Sequence, residues 1–161
     1  MPVPRALFDE IYARHGHRCP MSTLGGRIGY AAAAQVAAGE RLAIYYANTC
    51  ALDGIRVTTG IGSPRVIEQG RHALVLVGRA DGRGVQVSLR PAALDIAWEY
   101  RRVSEALDRD RAGLDEAALA MRQAELAQVL DGVLQRLWTL PDEELLEIVP
   151  AELDPNDFLE R

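Results

Sequence analysis

Residues 15–20 read HGHRCP and contain two of the chain's three histidines and one of its two cysteines. If this segment is extended, alternate side chains point the same way, so His15, His17 and Cys19 share one side. Imidazole nitrogen and thiolate sulfur are the donors that zinc and its neighbours prefer. The same groups could act as nucleophile and base, or could simply pack. The alternating pattern favours a metal site.

Both cysteines are predicted to lie at helix starts. Cys19 precedes a helix that Ser22 or Thr23 could cap, and Cys50 falls in the first turn of the next helix. Free backbone N–H groups and the helix dipole favour a thiolate there, the form that binds metal or attacks a carbonyl or thioester. Cys19, Cys50 and His17 are therefore also candidate catalytic residues. Free cysteine is often only a small buried hydrophobe, which is the simpler alternative.

Periodicity and turn residues predict an α+β domain with a mixed sheet: helix, helix, strand, helix, then three strands and two helices. The predicted helices cover residues 4–14, 22–39, 50–60, 91–110 and 114–137, and the predicted strands cover 41–48, 63–70, 72–80 and 84–91. Two glycine-containing turns, QGR and ADGRG, predict hairpins between the last three strands. Alanine and glycine in the second helix predict close packing against another backbone.

The C-terminal part is predicted to be a helical extension, residues 111–161, of an α+β domain at residues 1–110. It belongs either to the same domain or to a dimer interface. An apolar stripe on its long helix could cover the sheet or pair with a second copy of the chain; it comprises Leu119, Leu126, Val129, Leu130, Val133 and Leu137. The tail, rich in carboxylates and broken by prolines, either docks through Leu145, Leu146 and Phe158 or stays loose.

Composition excludes several classes of protein. All eighteen basic residues are arginine, which removes lysine chemistry, and a net charge of −5 without a basic stripe argues against nucleic-acid binding. No segment has the apolar length of a membrane span, and the first residues lack the apolar stretch of a signal peptide. We expect a cytoplasmic protein with reduced cysteines.

HGHRCP, then GGRIGYAAA, then CALDGIRVTTG after a predicted strand resembles the FmdE family, which is named for its association with formylmethanofuran dehydrogenase. Members usually read HGHxCPG, CxxDAIQ and TGCTxGK, and the resemblance spans roughly residues 8–100. It implies a fold similar to the C-terminal domain of glyceraldehyde-3-phosphate dehydrogenase. It also implies a homodimer and a divalent transition metal. Zinc is the metal expected from the histidine and cysteine donors of the motifs.

The resemblance assigns roles to particular residues. The metal ligands would be His17, Cys19 and Cys50, while His15 and Asp53 would be further ligands or would orient one. Independently of the family, two arginines on the helices that carry these motifs, Arg27 and Arg56, could attract a small anionic ligand or could simply be exposed.

The chain also departs from the family pattern. Met21 stands where the family has glycine, while Ile61 and Gly62 replace the cysteine and threonine of the third motif. With only Cys19 and Cys50, the chain cannot contain the C-terminal four-cysteine zinc ribbon of many members. Fewer ligands would leave an open coordination position, typical of a functional site, or would indicate a degenerate one.

Three functions therefore stay open. The first is a metal-binding protein that takes a small ligand or assists a partner metalloenzyme. The second is a cysteine-thiolate enzyme acting on a carbonyl or thioester. The third is a structural or regulatory module that binds a partner through its long helix and acidic tail.

Overall fold

The computed structural model describes residues 2–154 and 156, which form six α-helices and five strands. The helices are α1 (Arg5–His15), α2 (Pro20–Gln35), α3 (Ala51–Thr59), α4 (Pro91–Asp110), α5 (Glu116–Thr139) and α6 (Asp142–Leu145), with a 3-10 turn at Arg111–Gly113. The strands are β1 (Arg41–Tyr45), β2 (Arg65–Val66), β3 (Ala73–Gly78), β4 (Arg83–Leu89) and β5 (Leu146–Glu152). Among the described residues, no helix is long and apolar enough to cross a membrane.

The five strands form one mixed sheet in the order β2-β1-β3-β4-β5. Only β1 and β2 run parallel, and the other neighbours are antiparallel. The predicted α+β class with a mixed sheet is therefore confirmed. The ADGRG turn does join the hairpin of β3 and β4, and it is closed by a 2.9 Å hydrogen bond from the Gly82 N–H to the Gly78 carbonyl.

The predicted QGR hairpin is wrong, because β1 lies between β2 and β3. The chain after β2 folds over the end of β1 instead. There the Tyr46 carbonyl accepts hydrogen bonds from the N–H groups of Gln69 and Arg71. The glycine in this segment marks a turn, but the turn does not return the chain to the strand it has just left.

The acidic tail contains a strand where only a helix and proline-broken sequence were predicted. β5 pairs with β4 along its whole length, from Leu89↔Leu146 to Arg83↔Glu152. Pro150 is tolerated because β5 is an edge strand, where a missing N–H leaves no central ladder bond unmade. Leu145 and Leu146 are buried in the core, as the docking alternative predicted, whereas Phe158 lies outside the described residues.

The main core lies between the sheet and the helices on one of its faces. Alternate residues of the central strands point toward these helices, as the two-residue period of a strand requires; they include Leu74, Leu76, Val85 and Val87. The C-terminal end of the predicted stripe on α5, Val133 and Leu137, is buried in this core. The remaining stripe residues are half-buried: Leu119, Leu126, Val129 and Leu130.

Helices α2 and α3 pack backbone to backbone, as the small residues of α2 predicted. A Cβ on Gly25 would lie 2.6 Å from the Cα of Ala51, and one on Gly54 would lie 2.7 Å from the Gly25 carbonyl carbon. Further along both helices, Gly29 faces Ile55 in the same way. The helices therefore run in the same direction, with their N-terminal ends side by side.

Candidate functional site

The HGHRCP segment turns between two helices and is not the extended strand that the alternation suggested. α1 continues through His15 and ends at Gly16, whose φ of +94° is a left-handed conformation suited to glycine. The Gly16 N–H donates to the Tyr12 carbonyl at 2.9 Å. One nitrogen each of His15 and His17 and the Cys19 Sγ nevertheless lie within 4.8 Å of one another. The predicted convergence is found, by a different path of the chain.

His15 is prepared to present one nitrogen to the cluster. Its Nδ1 lies 2.9 Å from the Asp53 Oδ2, while its Nε2 is buried and has no hydrogen-bond partner. A carboxylate on one ring nitrogen fixes the tautomer and leaves the lone pair of the other nitrogen free, as in many metal sites. An unpartnered buried nitrogen is costly unless something binds it. The donors present therefore fit a metal ion.

Asp53 is held by positive charge on two sides. The Arg56 Nη1 donates to its Oδ1 at 3.1 Å, and the Arg14 Nε lies 3.5 Å from the same oxygen. Partial burial alone would raise the pKa of Asp53, but the hydrogen bonds from His15 and Arg56 outweigh it and the net pKa is lowered. Arg56, predicted to attract an anionic ligand, is thus already paired with Asp53 and also donates to the Gly62 carbonyl.

Cys19 is itself the N-cap of α2, where Ser22 or Thr23 was predicted. Its Sγ accepts a hydrogen bond from the Ser22 N–H at 3.3 Å, which is the cap interaction usually made by oxygen. The Cys19 carbonyl accepts from the Thr23 Oγ1 at 2.8 Å. The Thr23 hydroxyl is also hydrogen-bonded to the Tyr12 hydroxyl, and the Tyr12 oxygen accepts a hydrogen bond from the Trp138 Nε1 at 2.9 Å. Three helices therefore fix the position of Cys19.

Cys50 occupies the N-cap of α3, is exposed, and lines the same pocket as Cys19. It is not one of the three residues whose donor atoms converge. The Cys50 side chain makes no cap hydrogen bond, and the Thr49 Oγ1 instead accepts from the Ala51 N–H at 3.2 Å. Burial raises the pKa of the Cys50 thiol, and the neighbouring Cys19 adds to the rise. This direction is opposite to the one expected for a cysteine at a helix start. A divalent cation would stabilise the Cys50 thiolate by its own charge.

A pocket of about 360 Å³ opens beside the two thiols. Its lining comes from the HGHRCP segment, the start of α3, the residue before β3, and α4; it comprises His17, Cys19, Pro20, Met21, Thr49, Cys50, His72, Ala97, Trp98, Tyr100, Arg101 and Ser104. A larger depression of about 620 Å³ lies at the other end of the sheet, among residues 35–40 and 78–84, and has no histidine or cysteine in its lining.

His72 lines this pocket, although no role was predicted for it. Its Nδ1 is buried without a hydrogen-bond partner, and burial lowers its pKa, so the imidazole is neutral near pH 7. Trp98 and Arg101 were also missed, because on α4 they read as ordinary residues of an amphipathic helix. Only their distance in space, not their spacing in sequence, connects them to Cys19 and Cys50.

Arg27, the second predicted anion-binding residue, serves a different purpose. Its side chain is buried, and its guanidinium donates to the carbonyls of Leu137 and Leu140 and to the Asp142 Oδ1, at 2.6–2.9 Å. These acceptors lie at the C-terminal end of α5, where the last carbonyls have no helical partner. Arg27 therefore fixes α5 to α2 and is wrong as a ligand-binding candidate.

The departures from the family pattern also have places in the structure. Met21 lines the pocket and packs against the main core. Ile61 packs against the same core from the segment after α3. Ile61 contributes packing at this position, and Met21 adds an apolar surface close to the thiols.

The fold and the site define the class: an α+β protein whose helix ends bring histidines and cysteines to one pocket. The chain belongs to the FmdE family, since the family model described as FmdE, Molybdenum formylmethanofuran dehydrogenase operon, matches residues 14–147. The resemblance predicted from the HGHRCP and CALDGIR motifs is confirmed.

Two relatives illustrate this membership. A protein from Syntrophus aciditrophicus, described as FmdE-like and named after a tungsten formylmethanofuran dehydrogenase, has the same fold, with a TM-score of 0.59 and 20% identity over 95% of this chain and 74% of that one. A protein of Archaeoglobus fulgidus named "Probable S-adenosyl-L-methionine-binding protein" is 38% identical over 86 residues. This match covers 45% of the chain and 24% of the relative, so the chain spans only about a quarter of that protein.

Proposed function

We propose that this chain is a metal-binding protein in which His15, His17 and Cys19 hold one divalent transition metal ion beside a pocket for a small ligand. Cys50, also predicted as a ligand, lies near Cys19 but outside this group of converging donors, so the ion keeps an open coordination position toward the pocket. The observation that carries the proposal is the buried His15 Nε2, which has no partner although His15 Nδ1 is bonded to Asp53. His15 also belongs to a group of three residues, with His17 and Cys19, that each place one donor atom within 4.8 Å of the others. Burying such a nitrogen costs free energy that metal coordination would recover.

Zinc is the metal that this donor set favours. Two imidazoles and one thiol are borderline-to-soft donors, and calcium and magnesium prefer oxygen. When bound, such an ion supplies a Lewis acid and stabilises thiolates. Asp53 orients the His15 ring, and the Ser22 N–H holds the Cys19 sulfur. These side chains would select the ion by donor type.

The biological role then depends either on a small ligand that binds in the pocket or on a partner metalloenzyme that the chain assists. The name of the Archaeoglobus relative supports a small-ligand role, and that of the Syntrophus protein supports service to a partner metalloenzyme. We favour the small ligand, because a pocket of about 360 Å³ adjoins the thiols and lies in the usual size range of ligand sites. A homodimer and a cytoplasmic location are further parts of this proposal.

The test is metal analysis of the purified chain and of matched histidine variants. We expect about one metal per chain, lost in His15→Ala, His17→Ala and Cys19→Ala. His72→Ala is the control, because it removes a histidine from the same pocket but outside the group of converging donors. Asp53→Asn should keep the metal with an affinity lower by about ten- to a hundredfold. Stoichiometric metal in the His17 and Cys19 variants would contradict the proposal.

The thiol-enzyme alternative makes a different prediction for iodoacetamide labelling. A metal-bound thiolate should be shielded until a chelator is added, whereas a catalytic thiolate should react at once near neutral pH. The raised pKa of Cys50 disfavours the enzyme in the absence of a cation. Fast labelling of chain that retains its metal would reverse this preference. The third alternative, an interaction module, requires a tail that is dispensable for folding.

A further inference from the structure

We propose that Trp98 and Arg101 of α4 make the pocket specific for a small aromatic molecule that carries a metal-binding sulfur at one end and a carboxylate at the other. The sulfur end rests on the proposed metal site, whereas the ring and carboxylate ends rest on α4. The inference assigns to this pocket a ligand class that differs from the S-adenosyl-L-methionine in the name of the Archaeoglobus relative, of which the chain spans only about a quarter.

The pocket has two chemically different walls. On one side stand the thiols of Cys19 and Cys50 and the imidazole of His17, and on the other stand the side chains of Trp98 and Tyr100. The remaining lining is mixed, with three apolar and four polar residues: Pro20, Met21 and Ala97, and Thr49, His72, Arg101 and Ser104. A volume of about 360 Å³ is at the small end of the usual range of roughly 300–1,000 Å³ for ligand sites, so it suits one substituted ring better than a nucleotide.

Trp98 and Arg101 lie one helical turn apart and form a unit. The Arg101 guanidinium carbon is 4.8 Å from the centre of the Trp98 ring, and the Arg101 Nε donates to the Glu105 Oε1 at 2.9 Å. The ring and the carboxylate both restrict the guanidinium, which otherwise has many rotamers. Arg101 stays 60% exposed, so its remaining N–H groups can bind a ligand at the pocket mouth.

The charge balance favours an anionic ligand. Of the residues lining the pocket, as the described chain forms it, none is a carboxylate, and Arg101 is the only arginine. Glu105 lies outside this lining and offsets one charge, but Arg102 restores a positive excess on the same surface. Arg27 and Arg56 are engaged elsewhere. Arg101 therefore takes the role that was predicted for them.

The experiment compares three thiols on metal-loaded protein whose metal content has first been measured. Meta-mercaptobenzoate has the sulfur, the ring and the carboxylate; benzenethiol lacks the carboxylate, and mercaptoacetate lacks the ring. Calorimetric titration gives each dissociation constant, and metal analysis after titration verifies that the ion has not been extracted. We expect meta-mercaptobenzoate to bind most tightly.

Variants of α4 separate the contributions of ring and charge. Trp98→Ala, or Trp98→Leu if the alanine variant unfolds, should weaken both aromatic thiols by about tenfold and leave mercaptoacetate unchanged. Arg101→Gln should weaken meta-mercaptobenzoate by about threefold, because the guanidinium is solvent-exposed, and should leave benzenethiol unchanged. Arg109→Gln is the matched control, since Arg109 is an exposed arginine of α4 that lines neither this pocket nor the surface beside it.

Each outcome decides between the proposals. Equal binding of meta-mercaptobenzoate and mercaptoacetate to metal-loaded wild type, or unchanged aromatic affinity in the folded Trp98 variants, overturns the ligand class and leaves the metal site intact. Tighter binding of meta-mercaptobenzoate than of mercaptoacetate to wild type, with this difference lost in the Trp98 variants, supports the proposed ligand class. Wild-type protein without metal overturns the proposed function, and this inference with it.

Discussion

Replacing Gly25 by alanine tests how the two cysteine motifs are brought together. The added Cβ would lie 2.6 Å from both the Cα and the carbonyl carbon of Ala51, the residue after Cys50. Ordinary contact between such atoms begins near 3.4 Å, and the Ala51 carbonyl oxygen lies closer still, so α2 and α3 must separate by at least about 0.8 Å. The Ala51 atoms that the new Cβ would meet belong to the backbone, so no side-chain rotation can relieve the overlap.

The expected loss of stability follows from two opposing effects. Overpacking costs about 1–3 kcal/mol, and backbone against backbone belongs at the upper end. Alanine in a helix interior recovers about 1 kcal/mol relative to glycine. We therefore expect the free energy of unfolding to fall by about 2 kcal/mol. Because the displacement also moves Cys50 and Asp53 away from Cys19, metal affinity should fall by at least about tenfold.

Urea unfolding gives the stability, and competition with a chelator gives the metal affinity. Gly132→Ala on α5 is the matched control, because among the described residues nothing beyond the adjacent backbone of α5 lies within 4 Å of the Cβ it would add. It should raise stability by about 1 kcal/mol and leave metal binding unchanged. If Gly25→Ala is as stable as the control and binds metal equally well, the close helix contact does not position the site.

Three further predictions concern the rest of the fold. Arg27→Gln should lower the free energy of unfolding, measured in urea, by about 2–4 kcal/mol, because it weakens the buried hydrogen bonds to the Leu137 and Leu140 carbonyls. Metal content should not change, and loss of the metal would mean that Arg27 does contribute to the site. Truncation after residue 138 should abolish cooperative unfolding, because it removes β5 and the buried Leu145, whereas truncation after residue 154 should leave it unchanged. A cooperatively folded 1–138 chain would show that the tail is dispensable for folding. Burial raises the pKa of Tyr45 from 10.0 to about 12, so the unfolded chain loses this proton first and stability falls as the pH rises from 10 to 12. Wild type should lose about 1 kcal/mol more than Tyr45→Phe between pH 9 and pH 11, and equal losses would mean that the hydroxyl is not buried.

The elements with strong local signals were predictable. α4 begins at the predicted Pro91 and ends at Asp110 as expected, because proline at the first helical position and a long amphipathic pattern both act locally. α3 ends at the predicted Gly60 for the same kind of reason. The HGHRCP residues converge as expected, although Gly16 brings this about through a turn that the alternating pattern did not indicate.

The features that were missed depend on contacts distant in sequence. β5 is acidic and contains Pro150, so its own sequence argues against a strand; only pairing with β4 and burial of Leu146 stabilise it. Arg27 resembles an exposed helical arginine until the carbonyls at the end of α5 are placed beside it. His72 and Trp98 carry no motif, and only the folding of β3 and α4 against the helix starts brings them to the pocket.

Small residues connect the metal chemistry to the fold. Cys19 and Cys50 are thirty-one positions apart and cap different helices, so their thiols come near each other only if both helix starts lie side by side. Gly25 and Gly54 permit that approach because they have no Cβ at the crossing. The glycines therefore help to form the proposed metal site without offering a ligand atom. A relative with intact His and Cys motifs but bulky residues at these two positions should fold with separated thiols and should bind the ion weakly.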